Sequence, residues 1–157
     1  MIGVIARRKG PDLFVAAARL VREATDQVEF HLVGAATDPL DRDWARRVLA
    51  DANATGINCV ERTVVSNALA EWDIFVLPSR VDPFPIVVLE AMAAGLPVVG
   101  TLVDGIAEQV RGETGLLVDA EDPQALAHAI LSLHGDSELR HRLGAAGRRR
   151  VTEHFSL

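Results

Sequence analysis

The stretch IFVLPSRVDPFPIVVLEAMAAGLPVVGT, residues 74–101, decides the fold. It opens on four bulky apolar residues, Ile74, Phe75, Val76 and Leu77, the length of a buried strand, and Pro78 stops the run. Residues 86–94 follow as a helix, with Pro85 at the start and Gly95 just past the end. A second apolar run, residues 97–101, closes the unit. Strand, helix and strand in this order make the βαβ unit of a parallel sheet.

The same alternation extends outward from it. Upstream, residues 1–5, 28–33 and 57–60 read as further buried strands. Between them lie two helices. One has Pro11 in its first turn and Leu13, Phe14, Ala17, Leu20 and Val21 on one face. The other carries Trp44, Val48, Leu49 and Ala52, with Asp41 or Asp43 as its cap. Downstream come a turn of helix at 106–110, a strand at 115–118, and helices at 123–133 and 136–155. The expectation is a single α/β domain spanning residues 1–157, with a parallel sheet of about six strands covered by helices on both faces. Open sheets of this kind take their ligands at the carboxyl ends of the strands.

Composition narrows the function. The chain has 157 residues, 16 Lys or Arg against 22 Asp or Glu, and a net charge of −6. An acidic balance speaks against nucleic-acid binding, which needs clustered cations to neutralise phosphates. The single cysteine, Cys59, excludes an internal disulfide and fits a reducing cytoplasm. The longest apolar stretch, residues 84–100, is broken by Pro85, Glu90, Gly95 and Pro97 and falls short of a membrane span. Residues 1–5 are too short for a signal sequence, and Arg7, Arg8 and Lys9 follow them where such a sequence has its charges in front.

Three loops at the predicted carboxyl ends carry the candidate chemistry. In the first, Arg7, Arg8, Lys9 and Gly10 lead into a helix N-terminus. Cations, free N–H groups and the helix dipole together form an anion seat, although a solvated basic turn reads equally well. Lys9 is the only lysine among the 16 basic residues, which points to a need for a compact ammonium there. In the second, Asp82 precedes the helix that holds Glu90. That helix is apolar on every side except at Glu90, so it is expected to be buried, with its carboxylate paired. Two such carboxylates grip vicinal diols, or else serve helix electrostatics. In the third, Asp104 and Gly105 form a tight turn before a short helix.

The run FVLPSRVDPFPIVVLEAMAAGLPVVGTLVDGIAEQV, the later GETGLLVDAEDPQALAHAI, the opening RRKGPDLFVAAARLV and the closing LRHRLGAAGRRRVTEHFSL resemble the C-terminal, donor-binding half of a GT-B retaining glycosyltransferase of family four, glycosyl transferases group 1. The resemblance covers essentially the whole chain. It implies a Rossmann-like αβα domain that binds a nucleoside-diphosphate sugar. Transfer to a hydroxyl acceptor would then need an N-terminal acceptor-binding domain, which this chain lacks.

Carried over by position, Asp82 and Glu90 match the two acids of the family's E-x7-E motif, Asp82 facing the transferred sugar and Glu90 the ribose. Lys9, with Arg8 beside it, would stabilise the departing diphosphate. Backbone around Phe84, Pro85, Ile86 and Val87 would approach the sugar and phosphates, Gly105 would allow close contact, and Arg62 lies in the segment 61–66 that would read the base. No metal or other cofactor is implied, since the nucleotide sugar is a substrate. Four departures stand out: Asp82 for the usual Glu, Pro85 where Gly is commonest, Asp104-Gly105 for Gly-Gly, and Val4 where a diphosphate-binding Arg aligns, leaving Arg7 or Arg8 to replace it. Val4, Asp82 and Pro85 keep open a non-catalytic nucleotide-sugar-binding or partner-binding module, and an epimerase fragment of the same fold is a further alternative, against which the LEAMAAG run, residues 89–95, speaks.

The remaining features have plain readings. His31, His128, His134, His141 and His154 lack metal-ligand spacing. Arg140, Arg142 and Arg148 to Arg150 read as a solvated helix face, with peripheral contact at the inner membrane face as the alternative. Cys59 and Trp72 read as packing residues. The expected location is cytoplasmic.

Overall fold

A computed structural model of the chain describes residues 1–61 and 64–155. Strands and helices alternate along it. The helices are α1 (Pro11–Ala24), α2 (Arg42–Ala54), α3 (Val65–Glu71), α4 (Ile86–Ala93), α5 (Asp104–Gln109), α6 (Pro123–Gly135) and α7 (Ser137–His154). The strands are β1 (His31–Val33), β2 (Asn58–Val60), β3 (Phe75–Leu77), β4 (Val98–Thr101) and β5 (Gly115–Val118).

All strand pairs are parallel, β1 with β2 in one sheet and β3-β4-β5 in another. The expectation of about six strands in one sheet is therefore corrected to five strands in two sheets among the described residues. The segment 1–5 accounts for the difference. It runs beside β1, with Gly3 N donating to Val33 O at 2.9 Å and Val33 N to Met1 O at 3.0 Å, yet it forms only a single bridge, Ile2 to Val33. Ile5 N donates on to Ala35 O at 3.0 Å, and Ala6 N then donates back to Val4 O at 3.0 Å, so the chain turns out of the extended path after this short stretch of pairing.

Beneath the two sheets lies one continuous core. Ile5, Leu32, Phe75, Leu77, Met92 and Ile106 are fully buried in it. Helix α1 starts at Pro11, packs on α6, and buries Leu13, Phe14, Ala17 and Val21 at helical spacing, with Phe14 edge-on to Phe30 at 5.7 Å. Helix α4 lies on α7, and a Cβ on Gly144 would come within 2.0 Å of Gly95 O, so α7 touches the end of α4 through bare backbone. Asp41 occupies the N-cap of α2 without capping it, because its carboxylate accepts from Arg7 N at 3.1 Å. Helix α3 was not anticipated. No helix among the described residues is long and apolar enough to cross a membrane.

Candidate active site

The carboxyl end of β3 and the turn that follows residues 1–5 meet at one place. A 3-10 turn, Arg7–Lys9, ends at Gly10 in the left-handed region with φ 66°. A Cβ there would sit 2.0 Å from Pro78 O, so only glycine lets the turn lie against the end of β3. Arg80 N and Val81 N both donate to Arg8 O, at 2.7 and 3.2 Å, and stitch the two loops together. The Arg80 side chain reinforces the seam. It donates twice to Asp12, each at 2.8 Å, once to Arg7 O at 2.8 Å, and pairs with Glu121. Hydrogen bonds to Asp12, and then to Glu121, hold its pKa above the ordinary arginine value against the opposing effect of burial.

This seam delivers Lys9 to Asp82. The ammonium donates to Asp82 Oδ2 at 2.5 Å, and the two residues are only 8% and 4% exposed. Ser79 Oγ donates to the same oxygen at 3.1 Å. Asp82 Oδ1 makes no hydrogen bond to any described residue. The backbone of Asp82 is held from the other side, its N donating to Asp104 Oδ2 at 3.3 Å and its O accepting from Gly105 N at 3.2 Å. Asp104 has φ 35°, and a Cβ on Gly105 would approach Pro83 O to 1.9 Å, so the start of α5 touches the loop directly. Thr101 Oγ1 completes the clamp by donating to Ser79 O at 2.5 Å.

Helix α4 departs from expectation. Val88, Leu89, Ala91 and Met92 are buried, but Ile86 and Glu90, one turn apart, face solvent, so the helix is two-sided. The Glu90 side chain is exposed and forms no ion pair or hydrogen bond among the described residues, which corrects the expectation of a buried, paired carboxylate. The helix follows the loop 78–85 that leaves β3, so Glu90 lies on its second turn, on from Asp82. Pro85 is its N-cap and accepts from Gln109 Nε2 at 3.2 Å. The amides of Ile86 and Val87 have no acceptor among the described residues. Phe84 is exposed, its ring 5.9 Å from that of Phe155.

The two arginines beside Lys9 differ. Arg7 is committed to α2, with Nε 3.2 Å from Asp41 and its guanidinium 4.9 Å from the Trp44 ring. Arg8 is exposed, and its side chain has no partner among the described residues. Val4 is half-buried beside the same turn. Arg62 lies outside the described residues. Among those residues no group of three or more His, Cys, Asp or Glu side chains could hold a metal ion. The structure thus gathers Lys9, Asp82 and Gly105 with the Arg8 backbone and leaves Glu90 on the adjoining surface. Ser79, Arg80 and Thr101 are site residues that the sequence reading missed. Their only signal was their place at or just beyond the carboxyl ends of apolar strands.

Comparison with known proteins adds the following. The family model described as glycosyl transferases group 1 matches residues 1–136. A D-inositol 3-phosphate glycosyltransferase from Paenarthrobacter aurescens is 34% identical over 149 residues, covering 90% of this chain and 36% of that protein. The chain therefore spans little more than a third of that relative's length. The crystal structure of a C-terminal domain of a glycosyl transferase group 1 family protein from Francisella tularensis matches with a TM-score of 0.85 and 26% identity, over 97% of this chain and 82% of that one. Anabaena HepE, solved with UDP-glucose, shares the fold at a TM-score of 0.89 and 23% identity, over 99% of this chain and 43% of that one.

Proposed function

The chain belongs to the glycosyl transferases group 1, and from that premise we propose that it is the donor-binding half of an enzyme that moves a sugar from a nucleoside diphosphate to a hydroxyl acceptor with retention. The observation that carries this reading is the meeting of Lys9 and Asp82 at the carboxyl end of β3, with Glu90 free on the next helix. Each kind of group in a nucleotide sugar has a counterpart there. Lys9 and the unpartnered Arg8 face the diphosphate, and the free amides of Ile86 and Val87 add neutral donors at a helix start. The open Oδ1 of Asp82 accepts from a sugar hydroxyl, and Glu90 accepts from the ribose diol. Phe84 and Pro85 wall the sugar, Gly105 lets backbone come close, and Arg62 reads the base.

The chemistry is that of a leaving diphosphate. As the bond to the anomeric carbon breaks, negative charge gathers on the diphosphate and positive charge on the sugar. Preorganised cations stabilise the first, and the Asp82 carboxylate stabilises the second. No metal or other cofactor enters this scheme. The acceptor hydroxyl is held by an N-terminal domain across the cleft. One feature supports such a partner. All seven exposed large apolar side chains among the described residues, Leu40, Val60, Val64, Val81, Phe84, Ile86 and Leu102, lie at or beyond the carboxyl ends of β1 to β4. The proposed setting is the cytoplasm, with the inner membrane face as a peripheral alternative.

Isothermal titration with UDP, GDP, ADP, dTDP and their glucose or mannose derivatives tests the reading. Saturable binding of at least one nucleotide sugar is expected, with Glu90→Ala weakening nucleotide and nucleotide sugar alike, because both carry the ribose. Absence of saturable binding by the whole panel would refute it.

A further inference from the structure

Resting on the donor-site reading, we propose that the Lys9–Asp82 pair is a specificity lock: it makes a bare diphosphate a poor ligand and a diphosphate that brings a sugar hydroxyl a good one. Three observations carry this. First, both side chains are withdrawn from water, at 10% and 5% exposure, so the ammonium is already neutralised before any anion arrives. A phosphate must draw Lys9 away from Asp82 or bind to a charge that is half cancelled. Second, Asp82 cannot follow. Its backbone is clamped by Asp104 and Gly105, and its Oδ2 by Ser79, which Thr101 fixes in turn. When Lys9 turns to the phosphate, Asp82 keeps its place and retains only a hydroxyl as partner. A buried carboxylate in that condition is costly. Third, Oδ2 takes every hydrogen bond that the Asp82 carboxylate makes among the described residues, so Oδ1 has none there. A sugar hydroxyl donating there restores what Lys9 took away.

The lock therefore couples the two halves of the donor, the diphosphate opening a position that the sugar fills. The short aspartate stem matters here. A glutamate in its place would carry the carboxylate one methylene further out of the clamp, where water could replace the lost ammonium.

The test is titration of UDP, UDP-glucose, GDP and GDP-mannose into the wild-type chain and Asp82→Asn, with thermal melting as the folding control. Asp82→Asn keeps the shape and removes the charge that holds Lys9. It is expected to bind the bare diphosphate roughly tenfold more tightly than wild type, the scale of one charge-assisted hydrogen bond. The preference for nucleotide sugar over nucleotide should shrink with it. A folded Asp82→Asn that binds the bare diphosphate unchanged or more weakly overturns the lock. Where Asp82→Asn does not fold, Ser79→Ala serves, since it loosens the carboxylate with both charges kept; a smaller gain in the same direction supports the proposal, and no gain overturns it. Lys9→Ala combined with Asp82→Asn must abolish the gain, and a gain that survives without Lys9 also overturns it. Failure of every probe to bind wild type defeats the donor reading and the lock together. Wild-type binding with the wrong response of Asp82→Asn defeats the lock alone.

Discussion

Lys9 and Asp82 owe their burial to each other, and this sets them apart from Glu90. Lys9→Ala leaves the Asp82 charge inside the protein with Ser79 as its only side-chain donor among the described residues. A loss of about 3–5 kcal/mol in denaturant unfolding is expected, the scale for removing one partner of a buried ion pair. Glu90→Ala removes an exposed side chain without a described partner, so its unfolding free energy should stay within about 0.5 kcal/mol of wild type while nucleotide affinity falls. Equal destabilisation by the two substitutions would contradict this assignment of burial. Both acids could be picked out in the sequence by their spacing and surroundings. Which of them is buried could not, because α4 looks uniformly apolar around Glu90 until packing shows which side faces the core.

At the scale of elements, the site depends on backbone touching backbone. The start of α5 meets the Asp82 loop at Gly105, where a Cβ would approach Pro83 O to 1.9 Å. Gly105→Ala must push α5 off the loop and stretch the bonds from Gly105 N and to Asp104 that hold Asp82. The expected cost is about 1–3 kcal/mol, as for other overpacked sites. Titration should show weaker diphosphate binding as well, and an unchanged melt and affinity would show that the contact has no such role. The β3-α4-β4 unit could be read directly, since its apolar runs and its Pro and Gly punctuation agree. Residues 1–5 could not, because their apolar character is that of a strand while a turn at Ala6 decides how far pairing runs. Helix α3 escaped notice because Val64 at its N-cap gives no capping hydrogen bond, and only Ala68 and Leu69 are buried.

For the whole molecule, the exposed apolar side chains at the carboxyl-end face and the coverage of 36% of the inositol phosphate glycosyltransferase lead to the same expectation. The 157-residue chain should bind a donor and transfer nothing. Catalysis requires the acceptor hydroxyl within about 3–3.5 Å of the anomeric carbon and water shut out by an opposing wall, and a single half provides neither. Turnover should appear when the N-terminal domain is supplied, fused or in trans, as measured by release of the nucleoside diphosphate in the presence of acceptor. Multiple turnovers by the purified chain alone would overturn this.

The sequence by itself determined the fold class, the alternation of helices and strands apart from α3 and the extent of residues 1–5, and the identities of Lys9, Asp82, Glu90 and Gly105 as candidates. Apolar periodicity, turn residues and spacing are local properties, and local properties can be read along a chain. The tertiary structure alone decided that Lys9 and Asp82 form a buried pair, that Arg7 is committed to Asp41 and Trp44 while Arg8 is exposed, and that Ser79, braced by Thr101, holds the Asp82 carboxylate and Asp104 its backbone. Residues 9 and 82 lie 73 apart in the chain, and no local rule relates them. Their contact exists because a glycine in the left-handed region and two backbone hydrogen bonds to Arg8 O bring one loop against the end of a strand, and closure of that kind is decided by packing over the whole domain.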